Sequence, residues 1–415
     1  MVGHRNTQLS RKGLSLMIRV PVQNPNGSPA MPTKASRVRR WIEEGKATEH
    51  WNDAGLYYVR LVAEPSGCQT QKIVIGCDPG KNYTGIAVQS AKLTLYTAHL
   101  VLPFERVKER LGSAVIKQGK VIKNVRGRAL QRRVRRGRRI NRKVPFNQRA
   151  HRQKRFDNRR KKGKLAPSIR ASREMEIRII TELSKVFPIT TIVYELVKAD
   201  VDLTSSRKGA RSGKGFSPVM VGQNWCVEKL KSIAPVKTKY GWQKNNNGTS
   251  QMPLAEELRF RKHLGLEKVK DKKAQVPESH AVDGIALAAS EFVRYGVTPR
   301  KNCDTWGWKG SVNISPGVFR VITRSAYFRR ALHFDNAEKG GIRKRKGGTI
   351  TPFKVRLGDK VLAEKAGKIY IGWVGGFTDG KTKNISVYNH NWRRMGQFSP
   401  QKVQLIRRSN KLCVV

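Results

Sequence analysis

Alternating apolar and polar positions divide the first hundred residues into two groups of predicted strands. In the first group, Met17–Val22 and Leu56–Val62 flank a basic helix over Lys34–Gly45 whose apolar side chains share one face. The second group has three strands joined by tight turns, which predicts an antiparallel meander. Its strands are Ile73–Ile75, Thr84–Val88 and Leu93–Leu102.

The rest of the chain mixes helices and strands and ends in a β-rich segment. Helical periodicity covers Ile169–Phe187, Leu254–Leu264 and Pro277–Tyr295. A buried strand is predicted over Thr190–Leu196, and a short strand begins near Val236 and ends at Trp242. After about residue 300, short β-branched and aromatic runs between Gly- and Asn-bearing turns predict a small β-barrel. These runs are Val355–Leu362, Ile369–Val374, Ile385–Tyr388 and Val403–Arg407.

Charge changes this picture because it indicates the kind of partner. The chain has 85 Lys and Arg residues against 29 Asp and Glu residues, a formal net charge of +56. Such an excess opposes the compact state by self-repulsion and has no use in an enzyme of small neutral metabolites. We therefore expect a polyanionic partner, and nucleic acid is the default candidate.

Cysteine spacing and hydropathy indicate the compartment. The five cysteines lie far apart without a CxxC pair, which argues against a thiolate zinc site and against a disulfide framework. No apolar run approaches the roughly 18 residues of a membrane span, and the polar N-terminus has no secretory signal pattern. We expect a reduced, intracellular and soluble protein that binds a polyanion.

The sharpest shift in composition is a basic segment over residues 126–164. Its 39 positions hold 19 Lys or Arg residues and one acidic residue. Arg128, Arg132, Arg135 and Arg139 recur at helical spacing and would form one stripe. Two interpretations are open, a disordered basic tail and a helix that orders on RNA. The internal position and the interspersed apolar residues favour the helix.

Four residues form the candidate catalytic chemistry. Asp78 follows a buried strand, and Glu195 lies inside an apolar strand, where a carboxylate without a partner is costly. His280 and Asp283 lie three residues apart on one face of a predicted helix, and the opposite face is predicted to be a core-facing stripe of Ala281, Ile285, Ala288 and Phe292. Each feature alone is more often structural. Together they could hold two Mg²⁺ ions about 4 Å apart across a scissile phosphate, with the histidine activating water.

The sequence around these residues resembles the three motifs of RuvC-like nucleases, which belong to the RNase H superfamily. Residues 75–80 (Ile-Gly-Cys-Asp-Pro-Gly) with 83–87 (Tyr-Thr-Gly-Ile-Ala) resemble the first motif. Val193–Leu196 resembles the second motif, and Ser279–Ala286 resembles the third. The Arg-rich segment after the first motif is similar to the bridge helix of RNA-guided nucleases.

Two further segments are similar to the IscB family. Arg155–Arg159 with Leu165–Ser168 resembles the segment that follows the IscB bridge helix. Pro29–Pro32 resembles the Pro-Leu-Met-Pro signature that opens IscB-like proteins, with Ala30 in place of Leu. The resemblance runs from about residue 17 to residue 293.

Two differences, one from IscB and one from TnpB proteins, narrow the group of proteins that the chain resembles. IscB proteins carry an HNH nuclease between the second and third motifs, but only 85 positions separate Glu195 from His280, and His263 is the sole histidine between them. TnpB proteins carry a zinc ribbon in this gap, where the chain has one cysteine, Cys226. The chain therefore resembles IsrB, the HNH-lacking relatives of IscB in the transposon-associated OMEGA group. Such proteins use a guide RNA (ωRNA) to open double-stranded DNA beside a short adjacent motif and nick the non-target strand.

The resemblance also implies residue roles. Asp78, Glu195 and Asp283 would bind two Mg²⁺ ions, with Mn²⁺ as a possible substitute, and His280 would orient or deprotonate the attacking water. A set of arginines would contact the phosphates of the guide RNA and of the RNA–DNA heteroduplex. This set is Arg126, Arg128, Arg132, Arg133, Arg135, Arg136, Arg138, Arg139 and Arg142. The protein would act as a monomer in a ribonucleoprotein. It would lie in the cytoplasm of a prokaryote and associate with the nucleoid when it binds DNA.

The implied fold is α/β, an RNase H-like (RuvC) mixed sheet with flanking helices that is assembled from discontinuous segments. An Arg-rich bridge helix, a small N-terminal α+β domain and a C-terminal domain like a small β-barrel complete it. The predicted division is a flexible N-terminus (1–16), the N-terminal domain (17–70), RuvC part I (71–110), bridge helix and basic linker (111–165), RuvC part II (166–200), a basic loop and helix in place of HNH (201–235), RuvC part III (236–298) and the C-terminal RNA/DNA-interacting domain (299–415).

Two other functions remain open at this stage. A structure-specific nuclease of the junction-resolvase type would need the acidic site but not the Arg-rich insert. A non-catalytic RNA-binding protein would have the same charge but no use for a buried Glu195.

Overall fold

The computed structural model of the chain describes residues 18–103, 112–117, 120–126, 165, 167–197, 218–240, 263–266, 277–298, 305–324, 351–380 and 382–415. The first elements along the chain are β1 (Arg19–Gln23), β2 (Pro29–Lys34), α1 (Ala35–Glu43), β3 (Ala47–Trp51), β4 (Tyr57–Leu61), β5 (Ile73–Pro79), β6 (Tyr83–Ser90), β7 (Thr94–Val101), β8 (Gly112–Lys117), β9 (Lys120–Arg126), α2 (Pro167–Ser184) and β10 (Thr191–Leu196). They are followed by α3 (Pro218–Leu230), β11 (Val236–Tyr240), α4 (Pro277–Ala289), β12 (Arg294–Thr298), β13 (Thr305–Lys309), β14 (Val318–Arg324), β15 (Lys360–Lys365), β16 (Lys368–Asp379), β17 (Lys383–Tyr388), β18 (Arg394–Phe398), a 3₁₀ helix (Pro400–Lys402), β19 (Val403–Arg407) and β20 (Leu412–Val414).

The N-terminal unit is a four-stranded sheet in the order β2-β1-β4-β3, with α1 packed on it. The predicted strands and the helix are confirmed, and Gly27 supplies the positive φ of +83° that the turn between β1 and β2 requires. The sequence did not predict β2, which contains two prolines. Proline removes a backbone donor, and β2 tolerates it because β2 is an edge strand.

A seven-stranded sheet forms the centre of the molecule, in the order β11-β10-β5-β6-β7-β14-β20. Strands β5, β6 and β7 form the predicted antiparallel meander, while β10 runs parallel to β5 and β11 runs parallel to β10. These strands are almost continuously buried, as expected for a sheet covered on both faces. The predicted mixed α/β class is confirmed.

One face of this sheet packs against α2 and α3. Ile73 and Ile75 of β5 and Tyr194 of β10 share a buried cluster with Ile179 and Leu183 of α2, and none of these five side chains is exposed. Burying each such aliphatic side chain contributes about 1.5–3 kcal/mol. The cluster therefore holds β5 and β10 side by side.

The opposite face packs against α4 through glycines. A Cβ added at Gly76 of β5 would collide with the carbonyl oxygen of Gly284 and would lie 2.6 Å from the amide nitrogen of Ala288. A Cβ at Gly85 of β6 would collide with the carbonyl oxygen of His280. The helix backbone therefore lies directly on the backbones of β5 and β6, an approach that only residues without a Cβ allow.

The N-terminal unit and the C-terminal strands are both tied to α2. Asp53 forms ion pairs with Arg178 of α2 at 2.7 Å and with Arg407 of β19 at 2.9 Å. Gln23 donates to the carbonyl oxygen of Lys185 at 2.7 Å, just after α2. These contacts fix the outer units against the same helix that supports the central sheet.

The C-terminal segment contains an antiparallel sheet in the order β18-β17-β16-β15-β19. Three of the four predicted strand runs are confirmed, while the run that begins at Val355 becomes a strand only from Lys360, and β18 was not predicted. Within the described residues β18 does not pair with β19, so this sheet is not closed into a hydrogen-bonded barrel. Strands β14 and β20 belong to the central sheet instead, so residue 299 is not a boundary of that sheet.

One predicted helix differs from the structure, and one segment that was given no secondary structure forms two strands. The predicted helix over Pro277–Tyr295 ends at Ala289, and Arg294–Thr298 pairs with β13 as a strand. Phe292 fits the apolar helical spacing, but the Tyr-Gly-Val-Thr run after Arg294 favours a strand. Residues 112–117 and 120–126, which the predicted division assigned to the bridge helix and linker, form the antiparallel strands β8 and β9, which are rich in β-branched residues.

Several predicted segments lie outside the described residues. They are residues 127–164 of the basic segment, Trp242, and the helix predicted over Leu254–Leu264 except for its last two residues. In the described part, Cys68, Cys77, Cys226 and Cys413 form no disulfide bond. No helix of the described part is long and apolar enough to cross a bilayer.

The glycine contact between α4 and the sheet gives a stability prediction. Replacing Gly76 with Ala places a methyl group against backbone atoms that no rotamer change can move. We expect a loss of about 1–3 kcal/mol, as for overpacked cores, measured as a lower apparent melting temperature. Gly376→Ala in β16 is the control, because nothing lies within 4 Å of its Cβ position. Equal melting temperatures for the two variants would contradict the contact.

Candidate functional site

Asp78 and Glu195 are neighbours at the carboxyl ends of two parallel strands. Tyr194 of β10 pairs with Cys77 of β5, so the next residue on each strand, Glu195 and Asp78, continues the same register. Adjacent strands lie about 4.8 Å apart. Both acids are half-buried, whereas the sequence predicted full burial around Glu195.

The two acids face α4. Side chains alternate along a strand, and Val74 of β5 and Val193 of β10 pack with Ala288 of α4. Asp78 and Glu195 lie an even number of residues after Val74 and Val193 and therefore share their face. The intervening Cys77 and Tyr194 face α2 and α3.

A row of residues continues from these acids across the sheet. Asp78 pairs with Gly85 of β6, and Gly85 pairs with His99 of β7. On the other side, Glu195 pairs with Lys239 of β11. The row Lys239–Glu195–Asp78–Gly85–His99 therefore crosses five strands on the face that α4 covers.

Helix α4 brings the other two predicted residues to this row. Its His280 backbone contacts Gly85, the cross-strand partner of Asp78. Asp283 is only 4% exposed and directly precedes Gly284, which contacts Gly76. The backbone thus brings all four predicted residues to one end of β5 and the first turns of α4.

The orientation of α4 corrects one prediction. The sequence indicated that Ala281, Ile285 and Ala288 form a core-facing stripe opposite His280 and Asp283. These three residues are buried, but so is Asp283, and the positions nearest the sheet are 280, 284 and 288. Gly284 explains the difference, because its missing side chain lets the polar face approach β5 and β6.

A cluster of aromatic rings surrounds His280. The His280 ring centroid lies 4.8 Å from that of His99 and 5.1 Å from that of Tyr83, and the Tyr83 and His99 centroids are 4.9 Å apart. His99 is 2% exposed, and its Nδ1 has no hydrogen-bond partner among the described residues. Burial, and to a smaller extent the charge of His280, lower the pKa of His99 to about 4. His99 is therefore neutral at pH 7.

The far end of α4 is held by lysines. Glu291, just after the helix, accepts from Lys237 at 2.6 Å and from Lys72 at 3.1 Å. Burial opposes ionisation of Glu291, but the hydrogen bonds from these lysines lower its pKa overall. Lys239 donates to Ser290 at 2.6 Å, so this member of the row reaches away from Asp78. These contacts fix the position of α4 along the sheet.

The donor chemistry of the site fits a hard divalent cation. Asp78, Glu195 and Asp283 supply carboxylate oxygens, the ligands that Mg²⁺ prefers. Within the described residues, however, no three His, Cys, Asp or Glu side chains are already gathered around one metal position. The structure therefore agrees with the predicted metal site in two respects, the backbone positions of the three acids and the type of ligand atom they supply.

The predicted arginines are mostly beyond what the structure describes. Arg126 is the last residue of β9, a strand position and not a helical one. Arg128, Arg132, Arg133, Arg135, Arg136, Arg138, Arg139 and Arg142 lie outside the described residues.

Sequence reasoning missed several residues that surround the site. His99 had a signal, since it is a basic residue in an otherwise uncharged strand. Glu176 had one too, because it lies at helical spacing from the buried Ile180 and Leu183. Its partner Arg173 lies at the same helical spacing, and Tyr83 belongs to the first motif, but the sequence does not show that Tyr83 stacks on His280.

Comparisons with known proteins give one family match and several distant structural similarities. The family described as "RRXRR protein" matches residues 20–215. Among curated proteins, none matches the chain. The family match covers the N-terminal unit, β5 to β10 and the basic segment.

The structural similarities are weak. RuvC of Thermus thermophilus is 15% identical with a TM-score of 0.22, covering 52% of this chain and 90% of that chain. The same protein in complex with a Holliday junction substrate gives 15% identity, a TM-score of 0.23 and the same coverage. A CRISPR-Cas12f ternary complex is 13% identical with a TM-score of 0.26, covering 62% of this chain and 49% of that chain. Scores this low carry no weight for the site.

The buried His99 gives a pH prediction. In the unfolded chain it takes up a proton below its ordinary pKa of 6.5, whereas in the folded protein it does so only near pH 4. Stability contributed by neutral His99 is therefore present above pH 6.5 and is lost as the pH falls towards 4. His99→Phe keeps a ring against Tyr83 and His280 but cannot titrate. We expect its melting temperature to fall less than that of wild type between pH 7.5 and pH 5. Parallel curves would contradict the burial of a neutral His99.

Proposed function

We propose that the chain is a metal-dependent endonuclease with a RuvC-like, RNase H-like fold. More specifically, we propose an enzyme of the IsrB type, in which a guide RNA (ωRNA) selects double-stranded DNA beside a short adjacent motif. The enzyme then nicks the non-target strand. The observation that carries the proposal is the pairing of two acids, Asp78 and Glu195, on adjacent strand ends beneath α4.

The site residues have distinct roles in this proposal. Asp78, Glu195 and Asp283 would hold two Mg²⁺ ions, which Mn²⁺ could replace. When bound, these ions polarise the scissile phosphate and stabilise the charge that develops on its oxygens. Carboxylate residues of two strands and a helix meet at one end of β5, and this placement supports phosphodiester hydrolysis over a structural cation site.

His280 handles the proton in the hydrolysis. It takes a proton from the attacking water, whose oxygen forms a bond to phosphorus as the bond to the 3′ oxygen breaks. The products carry a 5′-phosphate and a 3′-hydroxyl, and the departing 3′ oxygen takes a proton from solvent. Tyr83 and neutral His99 pack on the His280 ring and restrict its orientation. Because His99 is neutral, it does not repel the positive charge that His280 gains when His280 is protonated.

The charge distribution supports a guide RNA as partner. The net charge is +56, and 19 of the Lys and Arg residues lie in the 39-residue basic segment, which a junction resolvase would not need. Lys and Arg contacts to phosphates position a nucleic acid without reading its sequence, so base pairing with a guide would supply specificity. The short gap between Glu195 and His280, with its single histidine, supports one nuclease centre.

The first test of this function removes one acid. Asp78→Asn removes the negative charge with little change in volume, so we expect Mg²⁺-dependent nicking to vanish while RNA binding is retained. Asp379→Asn is the control, because Asp379 is an exposed acid at the end of β16. A plasmid-nicking assay with gel-shift measurement of RNA binding separates the outcomes. Nicking that survives in Asp78→Asn removes Asp78 from the site, and retained RNA binding without any wild-type nicking supports a non-catalytic RNA-binding protein.

The second test counts nuclease centres and partners. With one centre, supercoiled plasmid should become open circle and accumulate in that form. The nucleic acid that copurifies with the protein should contain one long, specific RNA. Efficient linearisation by one complex contradicts a single centre. Cleavage of branched DNA by a preparation without RNA supports the junction-resolvase alternative.

The third test measures salt dependence. Each neutralised phosphate adds about 0.7–0.9 to the slope of log affinity against log salt. Replacing Arg128, Arg132, Arg135 and Arg139 with Gln should therefore reduce the slope for RNA by roughly three to four. Replacing the same four with Lys keeps the charge and should keep the slope. A slope that is unchanged in the Gln variant contradicts the assignment of these arginines to phosphates.

A further inference from the structure

A buried ion pair lies on the opposite face of the sheet, directly behind the two strand ends. Arg173 and Glu176 of α2 are 2% and 0% exposed, and Arg173 Nη1 lies 2.8 Å from Glu176 Oε2. The neighbouring residues of α2, among them Met175, Ile179 and Ile180, belong to the buried apolar cluster. Such a pair needs an explanation, because buried ion pairs often contribute no net stability relative to apolar residues of similar size.

The hydrogen bonds of the pair point to the strand ends that carry the acids. Arg173 Nη2 donates to the carbonyl oxygen of Gly80 at 3.0 Å, two residues after Asp78. Arg173 Nη1 donates to the hydroxyl of Tyr194 at 3.0 Å, the residue before Glu195. One guanidinium therefore holds the ends of both β5 and β10.

Glu176 holds the third strand. Its Oε1 accepts from the Thr84 hydroxyl at 2.6 Å, and Thr84 pairs with Pro79 across the turn that follows Asp78. Burial raises the pKa of the Glu176 carboxyl, while Arg173 and the Thr84 hydroxyl counteract this rise. The carboxyl thus connects the guanidinium to β6, and the pair spans β10, β5 and β6.

We propose that Arg173 and Glu176 are positioning residues that fix the spacing of Asp78 and Glu195 from behind the sheet. This inference rests on the proposed function, in which those two acids hold the metal ions. A guanidinium is suited to the task because its planar fork presents several donors in fixed directions. Loss of the fork would let the two strand ends move relative to one another without unfolding the sheet. The acids would then bind a shared cation less tightly.

The test replaces the pair by apolar residues of similar size. In Arg173→Met/Glu176→Leu the cavity stays filled, so we expect the chain to fold and to bind RNA as wild type does. The Mg²⁺ concentration for half-maximal nicking should rise about 10- to 100-fold, the usual effect of losing partners that orient metal ligands. The apparent dissociation constant for Mn²⁺, measured on the full-length chain by electron paramagnetic resonance, should rise by the same factor.

A single hydroxyl provides a milder variant. Tyr194→Phe removes only the hydroxyl that accepts the hydrogen bond from Arg173. We therefore expect both metal readouts to shift in the same direction by a smaller factor. Tyr96→Phe is the matched control, because Tyr96 is a fully buried tyrosine on the same face of the sheet whose hydroxyl contacts Ala54 instead. Its metal readouts should stay at the wild-type values. Should the double variant fail to fold, the two tyrosine variants decide the outcome.

The outcomes separate this inference from the proposed function. Wild-type Mn²⁺ affinity in the double variant or, where that does not fold, in Tyr194→Phe overturns the positioning role, even if the melting temperature falls. That result would make the pair purely structural. Equal Mn²⁺ affinities for wild type and Asp78→Asn would overturn the metal site itself. Loss of Mn²⁺ binding in Asp78→Asn, with unchanged binding in Arg173→Met/Glu176→Leu and in Tyr194→Phe, would overturn the positioning role and leave the metal site in place.

Discussion

The arrangement of the site depends on the direct contact between the backbone of α4 and the backbones of β5 and β6. Three glycines make it possible, because Gly76, Gly85 and Gly284 leave no side chain between helix and sheet. A helix held at ordinary side-chain distance would lie several ångströms further away, and His280 and Asp283 would not reach the strand ends. The lysines that hold Glu291 fix the helix along its axis. The glycines set the distance of α4 from the sheet, and the lysines set its position along the sheet.

The two faces of the central sheet carry different kinds of residues. The face towards α4 carries the polar row, in which Asp78, Glu195 and His99 lie in register. The face towards α2 carries the large apolar cluster, and the buried Arg173–Glu176 pair lies beside it. Because side chains alternate along a strand, each acid has a neighbour on the opposite face, and Tyr194 is held by Arg173 directly behind Glu195. Packing on one face thus constrains chemistry on the other.

Local patterns predicted the strands well and the packing less well. The meander, β10 and the start of α4 follow from apolar runs and turn residues, and Asp78 and Glu195 stand out because acids are rare in such runs. The length of α4 was overestimated because Phe292 fits the helical spacing by coincidence. The strands β14 and β20 could not be assigned to the central sheet, since joining strands more than 200 residues apart is a tertiary choice that no local pattern records. The same holds for His99, whose importance lies in the ring that packs on it from α4.

The central claim is that Asp78, Glu195 and Asp283 hold divalent metal ions at the end of β5. The most direct measurement is a crystal structure of the full chain with its nucleic acids, soaked in Mn²⁺ and recorded at a wavelength where manganese scatters anomalously. The account predicts anomalous peaks about 2.0–2.2 Å from carboxylate oxygens of these three residues. Manganese peaks confined to other positions, with none beside Asp78 and Glu195, would contradict it.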